Sequence, residues 1–445
     1  MPWDNVILNR LRRSILLDLL NFWWKSRFSS RKEKYAKKLC WLQLICRQSF
    51  TPYVINEPQI FIDISSLVVN DGQTGIHRLV RSVATSVSRM EQYGGYRLSL
   101  VYASKYRIGY WHAFEFERKV LGRMDLPEAD VPISFKKGDI FYELDWNMKL
   151  SALQRPFYEQ LVKHDVKVFF NVYDIIPLQL NDLYSPKSQE AFEQWLLEAS
   201  RYTGVLCNSQ AVAEYYREWR QKKGLPSDFV IDWFHLGADI ENSYPSKGLP
   251  DNADAILDAI RSTTSILMVS SLHPRKGYAQ ALAAFEMLWN AGHEVKLVIV
   301  GKDDPHGGNM AQRLREHPEQ GHHLIWLENI SDEYLDLIYK ASSAVLSASR
   351  AEGFGLPVLE GGRYGKPLIL RDLPVFRELV GDNATYFSGE EPKGLAEVVA
   401  RWEKRSSDDK APKLESGKIQ TWQRSIENML NKLIIHTVVE QRGLQ

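Results

Sequence analysis

The chain has 445 residues, a length that usually divides into two or three domains and excludes a single small binding module. Hydrophobic residues make up 44% and charged residues 25%, which is ordinary globular usage and excludes wholesale disorder. The net charge of +1 excludes a generic polyanion binder, but this charge is unevenly spread. Residues 1–50 hold 11 Lys and Arg against 3 Asp and Glu, a net charge of +8, so the remaining 395 residues carry −7.

The basic head, residues 1–57, is predicted to contain an amphipathic helix. Its apolar residues recur at spacings of three and four, and they are Leu8, Leu11, Ile15, Leu19 and Phe22. Trp23 and Trp24 lie beside Lys25 at the edge of this stripe. A basic amphipathic helix edged with Trp favours contact with an anionic membrane surface. The alternatives are packing against the protein's own body and binding of RNA or a partner protein.

The cysteines and histidines form no recognisable framework. Cys40, Cys46 and Cys207 are sparse and odd in number, which argues against a secreted disulfide scaffold and favours a reducing compartment. The sequence contains no cluster of Cys and His residues that would indicate a zinc site. The adjacent residues His322 and His323 are predicted to lie on opposite faces of a strand, in a structural role. No apolar run reaches membrane-spanning length, and the first residues do not resemble a signal peptide. We therefore expect a cytoplasmic location, peripheral to the membrane.

Short β-branched and aromatic runs alternate with helical periodicity from residue 58 onward. The predicted strands are, in chain order, Ile60–Ile64, Leu98–Tyr102, Ile140–Leu144, Val166–Val172, Gly204–Cys207, Val230–His235, Ile266–Ser270, Lys296–Gly301, Leu324–Leu327, Ala344–Leu346 and Pro367–Leu370. Between the sixth and the seventh, Asp239–Thr264 is less periodic and is interpreted as a linker. The tail Gly417–Val439 is predicted to be a long helix. This alternation predicts an α/β fold with two doubly wound, Rossmann-like domains.

The domain boundaries follow from the linker and the two ends. We expect a basic extension over 1–57, a first Rossmann-like domain over 58–245, a second over 246–412, and a terminal helix over 413–445 that packs back on the first domain. In such sheets ligands bind at the carboxyl ends of the strands, and two facing sheets place the site in the cleft between them. Loops directly after strands are therefore the places to search for chemistry.

The loop after the predicted strand Ala344–Leu346 carries the sharpest motif, Glu352-Gly353-Phe354-Gly355-Leu356, followed eight residues after its first glutamate by Glu360. A Gly-Phe-Gly turn at a helix start presents backbone N–H groups that favour phosphate or another anion. A carboxylate before the turn can accept hydrogen bonds from sugar hydroxyls, and a second one two helical turns later can hold a ribose diol. The alternative is a tight turn with two solvated glutamates.

A pair of cations follows the predicted strand Ile266–Ser270. Arg275 and Lys276 lie directly before a predicted helix, where the helix dipole disfavours positive charge. Paired cations after a strand can neutralise a diphosphate, Arg as a bidentate fork and Lys as a point charge. This position therefore favours a binding function over an exposed basic loop.

Two loops of the first half are weaker candidates. Thr74 and Gly75 precede a predicted helix and offer a flexible backbone to phosphate or sugar, and Asp174 ends the strand Val166–Val172. Each has an equally good interpretation as a turn or a loop cap. The chain lacks a Walker loop, the zinc-protease and serine-hydrolase motifs, and an Asp-x-Asp triplet for a metal-bound nucleotide sugar.

Taken together, these segments resemble the retaining GT-B glycosyltransferases of family 4 that build bacterial surface polysaccharides. The resemblance covers about residues 58–400 and depends on the order of four pieces, namely Thr74-Gly75-Ile76, Phe234–Asp239, Arg275-Lys276-Gly277 and the pair Glu352 and Glu360. The opening Asp63…Thr74-Gly75-Ile76-His77-Arg78, together with Val172–Leu178, is similar to the mannosyltransferases that extend O-antigen or exopolysaccharide chains.

The resemblance implies a role for each site residue. Arg275 and Lys276 would hold the donor diphosphate, Glu352 the donor sugar and Glu360 the ribose, with Asp174 near the reacting carbon. The remaining donor-binding residues would be Thr74, Gly75, Gly353, Phe354, Gly355 and Leu356, with Trp326, Leu327 and Ile330 lining the base pocket. Where many members have a His before the residue matching Asp174, this chain has Tyr173.

The resemblance further implies a retaining hexosyltransferase that needs neither metal nor cofactor. Its partners would be a nucleotide-sugar donor, with GDP-mannose favoured, a glycan or lipid-linked acceptor, and the membrane surface through the basic head, but not nucleic acid. Rhamnose, glucose and N-acetylglucosamine remain open as the sugar. A nucleotide-sugar epimerase on the same fold and a non-catalytic scaffold are the rival functions.

Overall fold

The computed structural model describes residues 55–69, 75–242, 245–406, 412–415 and 419–442. The amphipathic helix predicted for the basic head lies outside the described residues, as does Thr74. Within the described ranges, no helix is both long enough and apolar enough to cross a membrane.

The described chain alternates strands and helices. The strands are β1 (Gln59–Asp63), β2 (Gln92–Tyr93), β3 (Tyr96–Ser104), β4 (Arg107–His112), β5 (Ile140–Glu143), β6 (Lys167–Val172), β7 (Gly204–Cys207), β8 (Val230–Trp233), β9 (Ser265–Val269), β10 (Lys296–Val300), β11 (Leu324–Leu327), β12 (Ala344–Ser347), β13 (Leu368–Arg371) and β14 (Thr385–Phe387). The helices are α1 (Ser65–Val69), α2 (Gly75–Met90), α3 (Phe114–Leu121), α4 (Met148–Lys163), α5 (Ile176–Gln179), α6 (Pro186–Ala199), α7 (Gln210–Lys222), α8 (Ala253–Arg261), α9 (Tyr278–Asn290), α10 (Met310–Arg315), α11 (Asp332–Ala341), α12 (Leu356–Arg363), α13 (Pro374–Val380), α14 (Pro392–Ser406) and α15 (Trp422–Arg442).

The chain divides into two compact units. Of the described residues, the first unit comprises 55–69 and Glu91–Val168, and the second comprises 75–90 and those from Phe169 onward. In the first unit, β1 pairs in parallel with β3 and β5, and β3 pairs antiparallel with β2 and β4. The buried carboxyl of Asp63 at the end of β1 accepts a hydrogen bond from the Ser65 backbone N–H (2.9 Å), and burial raises its pKa well above the usual value.

The second unit contains parallel strands in two groups. β6, β7 and β8 pair in parallel, and a separate six-stranded parallel sheet has the order β11-β10-β9-β12-β13-β14. All five residues of β10 are buried, as expected for a mainly apolar interior strand of a parallel sheet with both faces covered. Helix α9 covers one face of this sheet with Leu282 and Phe285.

These elements confirm the predicted α/β fold with two Rossmann-like domains. Each of the eleven predicted strands is present, with ends that agree to within two residues. The predictions missed β2, β4 and β14, which are short or antiparallel additions at sheet edges. The linker interpretation of Asp239–Thr264 was wrong in part, because this stretch contains helix α8 and a 3-10 turn over Ile240–Asn242. Leu257 and Ile260 of α8 are buried, so its apolar face has a packing role.

The terminal helix α15 packs beside β8 of the second unit. Lys432 Nζ lies 2.6 Å and His436 Nε2 2.8 Å from the carboxylate of Asp232. At the start of the helix, the Trp422 backbone N–H donates to Asp239 Oδ1 (2.6 Å). Gly237 lies so close that a Cβ there would be 2.3 Å from the Trp422 nitrogen. The polar contacts of Trp422, Lys432 and His436 fix the position of helix α15 beside β8.

Candidate functional site

Three loops at the carboxyl ends of strands bring the predicted site residues of the second unit together. β6 leads into Asp174, β9 leads into the turn that carries Arg275 and Lys276, and β12 leads into Glu352. Because the carboxyl ends of parallel strands share one edge of a sheet, the loops after β9 and β12 meet there. The charged cluster formed by Arg275, Lys276, Glu352 and Asp174 is called the cation cluster below.

Glu352 is the centre of the cation cluster. Its Oε1 accepts hydrogen bonds from Lys276 Nζ and from Ser349 Oγ (2.7 Å), and its Oε2 lies 3.3 Å from Arg275 Nη1. The side chain is only 9% exposed. Burial alone would raise the pKa of Glu352, but the charges of Lys276 and Arg275 outweigh burial and lower this pKa to about 2. The carboxylate is therefore ionised at any physiological pH.

The two cations are held in place by the backbone as well as by Glu352. Arg275 Nη1 also donates to the Ala351 carbonyl (3.3 Å), and the Arg275 carbonyl accepts from the Arg350 backbone N–H (2.7 Å). Burial and then the charge of Arg275 lower the pKa of Lys276, although Glu352 acts in the opposite direction. Two cations thus converge on the carboxylate of Glu352, and they stand where an anionic group could approach them.

Asp174 lies against the loop that carries Glu352, but the pKa of its carboxyl group is shifted in the opposite direction. Its Oδ1 accepts a hydrogen bond from the Ile176 backbone N–H at the start of α5 (3.0 Å). Burial raises the pKa of Asp174, and the charge of Arg275 offsets only part of that increase. A carboxyl group with a raised pKa beside paired cations is the kind of group that functional sites contain.

Two glycines permit the close approach of these loops. A Cβ on Gly353 would lie 2.1 Å from the Tyr173 carbonyl oxygen and 2.9 Å from Asp174 Cβ. Gly277, with φ at +76°, would place a Cβ 2.2 Å from the Ala348 carbonyl oxygen. No other residue type could stand at either position without a shift of the backbone. In addition, Ser209 Oγ donates to the Gly353 carbonyl (2.8 Å) and fixes the loop.

The turn after Glu352 begins helix α12. Phe354 is buried, and its ring lies 5.8 Å from that of His235. Gly355 is the N-cap residue with φ at +104°, and Leu356 is the first residue of the helix. Gly75, the first residue of α2, is close to this turn, since a Cβ there would lie 3.8 Å from Leu356 Cδ1.

Glu360 is enclosed by a second set of polar side chains. Its Oε1 accepts from Arg78 Nη1 and its Oε2 accepts from Tyr339 Oη (2.7 Å), and its side chain is only 2% exposed. Arg78 also pairs with Asp332 at 2.5 Å, so one guanidinium serves two carboxylates. Burial alone would lower the pKa of Arg78, but Glu360 and Asp332 raise it. This group, Arg78, Asp332, Tyr339 and Glu360, is called the Glu360 cluster below.

The residues predicted to line a base pocket lie at the end of β11. Trp326 is 8% exposed, and its indole N–H donates to the Gly301 carbonyl (2.8 Å). Leu327 and Ile330 are half-buried after it. Trp326 belongs to the core on one face, and the two residues that follow it are the more accessible part of this set.

Several polar residues around the site were missed by the sequence analysis. Ser349 donates to Glu352, His273 Nδ1 accepts from the Arg275 backbone N–H (3.2 Å), and the rings of Tyr184 and His273 stack at 6.0 Å. The pair His235 and Glu378, 2.6 Å apart, lies behind Phe354. Ser349 and His273 had local signals, since they stand three residues before Glu352 and two residues before Arg275. Tyr184, His235 and Glu378 are distant in sequence from the loops that they support.

The histidine pair was wrongly interpreted. His322 and His323 precede β11 rather than lying on it, and both rings contact Glu319 instead of pointing to opposite faces. Of the residues that the structure describes, Glu319, His322 and His323 form the one group with the spacing of metal ligands, and none of them belongs to the cation cluster.

The comparisons with known proteins indicate a glycosyltransferase. Residues 254–416 match the family model described as glycosyl transferases group 1. The serotype-specific mannosyltransferase WbdA of Escherichia coli is 35% identical over 399 residues, which cover 88% of this chain and 46% of that protein. The chain therefore spans about half the length of the curated relatives that it matches.

Solved structures are similar in fold at low sequence identity. Anabaena HepE, solved in complex with UDP and glucose, has a TM-score of 0.53 at 15% identity, covering 87% of this chain and 99% of that one. The catalytic domain of starch synthase IV from Arabidopsis thaliana has a TM-score of 0.55 at 13% identity, covering 86% and 100%. These likenesses show the GT-B fold. The family match and the WbdA relative confirm the resemblance predicted from the motifs.

Proposed function

We propose that this chain, whose residues 254–416 form a glycosyl transferases group 1 domain, transfers a hexose from a nucleotide sugar to a lipid-linked or growing glycan acceptor. The observation that carries the proposal is the cation cluster, in which Arg275 and Lys276 share the buried carboxylate of Glu352. The relatives named mannosyltransferase and O-antigen chain mannosyltransferase favour mannose as the sugar and bacterial surface polysaccharide as the product. The resemblance favours GDP-mannose as the donor.

The cation cluster suits the bond that must break. Arg275 and Lys276 bind the donor diphosphate, and Glu352 accepts hydrogen bonds from the hydroxyls of the donor sugar. The bond between the anomeric carbon and the phosphate oxygen breaks with its electron pair on phosphate, where the two cations stabilise the growing charge. The acceptor hydroxyl then bonds to the anomeric carbon from the same face, and its proton passes to the departing phosphate oxygen. Configuration is retained.

Two protein cations at the diphosphate replace the divalent metal that other nucleotide-sugar enzymes use. Their charge is already in position, so the site has no need of a metal to neutralise the leaving group. We therefore expect full transfer activity after treatment with EDTA. A loss of activity that added Mg²⁺ or Mn²⁺ restores would contradict this part of the proposal.

Ribose binding by Glu360 requires a rearrangement of the Glu360 cluster. The carboxylate is 2% exposed and is paired with Arg78 and Tyr339, so a ribose diol can reach it only if Arg78 moves or exchanges partners. Asp332 can serve as the alternative partner, because it already pairs with the other terminal nitrogen of the Arg78 guanidinium. Trp326, Leu327 and Ile330 would flank the base.

The other segments receive roles that agree with this reaction. Residues 58–245 would bind the acceptor and 246–412 the donor, with the terminal helix of 413–445 packed on the former. The basic head would hold the enzyme on the cytoplasmic face of the membrane, where lipid-linked acceptors are found. Deletion of residues 2–57 should abolish sedimentation with anionic liposomes and leave transfer to a water-soluble acceptor unchanged. Unchanged sedimentation would exclude the membrane role.

A panel of nucleotide sugars tests both the activity and the donor. The purified protein is scored by thermal shift with GDP-mannose, UDP-glucose, UDP-N-acetylglucosamine and dTDP-rhamnose, and the best ligand is then tested for transfer to acceptor glycan. A donor at 100 times its dissociation constant should add about 2.7 kcal/mol of stability. An epimerase would convert the donor alone, and a protein that none of these ligands stabilises would not be a transferase of this type.

A further inference from the structure

The turn before β11 carries three side chains whose donor atoms converge. Glu319 Oε2 lies 2.7 Å from His323 Nδ1 and 3.1 Å from His322 Nδ1, and the two imidazole rings have centroids 4.0 Å apart. One donor atom from each of the three lies within 4.8 Å of the others. Donor atoms bound to one tetrahedral zinc at about 2.0–2.2 Å are about 3.4 Å apart, so small side-chain adjustments would complete such a set.

The backbone of this turn is rigidly specified. The Glu319 carbonyl accepts from the backbone N–H of both His322 and Leu324 (3.0 Å each), and the Gly321 N–H donates to the Leu324 carbonyl (2.8 Å). These hydrogen bonds fix the three candidate ligands relative to one another without the help of an ion. A site whose ligands are already in place loses less conformational entropy when it binds its ligand.

A second carboxylate orients one of the rings. Glu294, in the segment before β10, has its Oε2 3.1 Å from His323 Nε2, and Trp289 stacks on the same ring at 5.8 Å. A metal-ligating His donates its outer N–H to a carboxylate in this way, because that hydrogen bond fixes the tautomer and leaves the other nitrogen free to coordinate. On the other side of the ring, His323 Nδ1 faces Glu319 Oε2 at 2.7 Å, and a bound ion would take the place of this contact.

We propose that Glu319, His322 and His323 bind a divalent transition-metal ion of the zinc class, with Glu294 as the carboxylate that orients His323. Imidazole and carboxylate ligands suit zinc, and water would occupy the fourth position. The side chain of His322 is 70% exposed, so the ion has an open path to the site.

The expected role is structural. The turn leads into β11, the edge strand of the six-stranded sheet, and it follows helix α10, so an ion here would join the end of the α10 segment to the sheet. None of its ligands belongs to the cation cluster, and the proposal goes beyond the transferase function. Zinc binding and sugar transfer are therefore separate measurements, and either can fail without the other.

Calorimetric titration of the full chain with zinc chloride tests the proposal. Wild type should bind one more zinc ion per chain than His322→Ala, whose replaced side chain is exposed and should not affect folding. Glu294→Gln should weaken this site by about 10- to 100-fold, as expected for a residue that orients a ligand. The control His164→Ala removes an exposed histidine with no carboxylate partner among the described residues and should change nothing.

Cobalt(II) serves as a second probe of the same site. Wild type loaded with cobalt should show the strong visible absorption of tetrahedral coordination, and zinc should displace it. The proposal is wrong if wild type takes up no zinc, or if His322→Ala takes up as much zinc as wild type with the same affinity. Circular dichroism of each variant separates loss of the site from loss of the fold.

Discussion

Two carboxylates of one motif, Glu352 and Glu360, are placed in opposite electrostatic surroundings. Glu352 is paired directly with two cations, Arg275 and Lys276, and its side chain is 9% exposed. Glu360 is paired with one cation, Arg78, which it shares with Asp332, and its side chain is 2% exposed. Glu352 therefore has two direct cationic partners of its own, whereas Glu360 has one cation that a second carboxylate shares.

This difference separates two tasks that a nucleotide sugar demands. A surplus of cations stabilises the diphosphate and its growing charge, whereas a surplus of carboxylate oxygens accepts hydrogen bonds from hydroxyl groups. Eight residues along one loop and helix are enough to reach both environments. Each prediction below changes one cluster and leaves the other intact.

The largest effect is expected from the cation cluster. Lys276→Ala and Glu352→Ala should each lower turnover by at least about 10²-fold, because each removes preorganised charge or its partner at the leaving group. Steady-state transfer assays measure the loss, and circular dichroism checks the fold. Lys340→Ala is the matched control, since Lys340 forms an exposed pair with Asp336. Near-normal turnover in either cluster variant would refute the assignment.

Loss of the cation in the Glu360 cluster should mainly affect stability. Arg78→Ala leaves Glu360 buried and without its cation, which should lower the free energy of unfolding by about 3 kcal/mol. Denaturant unfolding measures this change. As a comparison, Arg363→Ala removes the more exposed pair with Glu241 and should cost less than about 1 kcal/mol. If Arg78→Ala and Arg363→Ala lost equal amounts of stability, the ion pair between Arg78 and Glu360 would not be what stabilises the Glu360 cluster.

The close approach of the two site loops can be tested at Gly353. Gly353→Ala would place a Cβ 2.1 Å from the Tyr173 carbonyl oxygen, so the loops must separate. We expect a stability loss of about 1–3 kcal/mol together with reduced transfer. Gly394→Ala, in helix α14 with its nearest neighbour 3.9 Å away, should be neutral or slightly stabilising. Equal behaviour of the two variants would contradict the packing described for Gly353.

The smallest effect is a pH dependence of donor binding. Because burial and Arg275 lower the pKa of Lys276, this lysine should lose its proton, and donor affinity should fall, at a lower pH than for an ordinary lysine. Glu352, with a pKa of about 2, stays charged throughout. Calorimetry of donor binding between neutral and alkaline pH measures the decline. Lys276→Arg should bind without it, and an identical decline in that variant would assign the titration to another group.

Much of the fold was predictable because its signals are local. Apolar runs such as β10 and the helical periodicity of α9 depend on residues next to one another, and the strands that they predict are present. The prediction for the segment around α8 was wrong because it also relied on local signals. Its nine residues have a clear apolar face, but prolines at Pro245 and Pro250 suggested an irregular linker over the whole stretch.

The site was predictable only in part, since its partners are distant in sequence. The placement of Arg275, Lys276 and Glu352 in loops after parallel strands was predicted, but their pairing with one another was not. The pairing of Glu360 with Arg78 joins residues 282 positions apart, and nothing local to Glu360 indicates it. The contacts of His322 and His323 with Glu319 are local, by contrast, but they lie in a turn before β11 that was not predicted.

The central claim is tested most directly by calorimetric titration of donor binding to wild type, Lys276→Ala and Lys340→Ala. The donor is the nucleotide sugar that gives the largest thermal stabilisation. Wild type and Lys340→Ala should bind one donor per chain with equal affinity, and Lys276→Ala should bind it at least about tenfold more weakly, a difference of about 1.4 kcal/mol. Equal affinity in all three proteins, or no binding by wild type, would contradict the assignment of the cation cluster to the donor diphosphate.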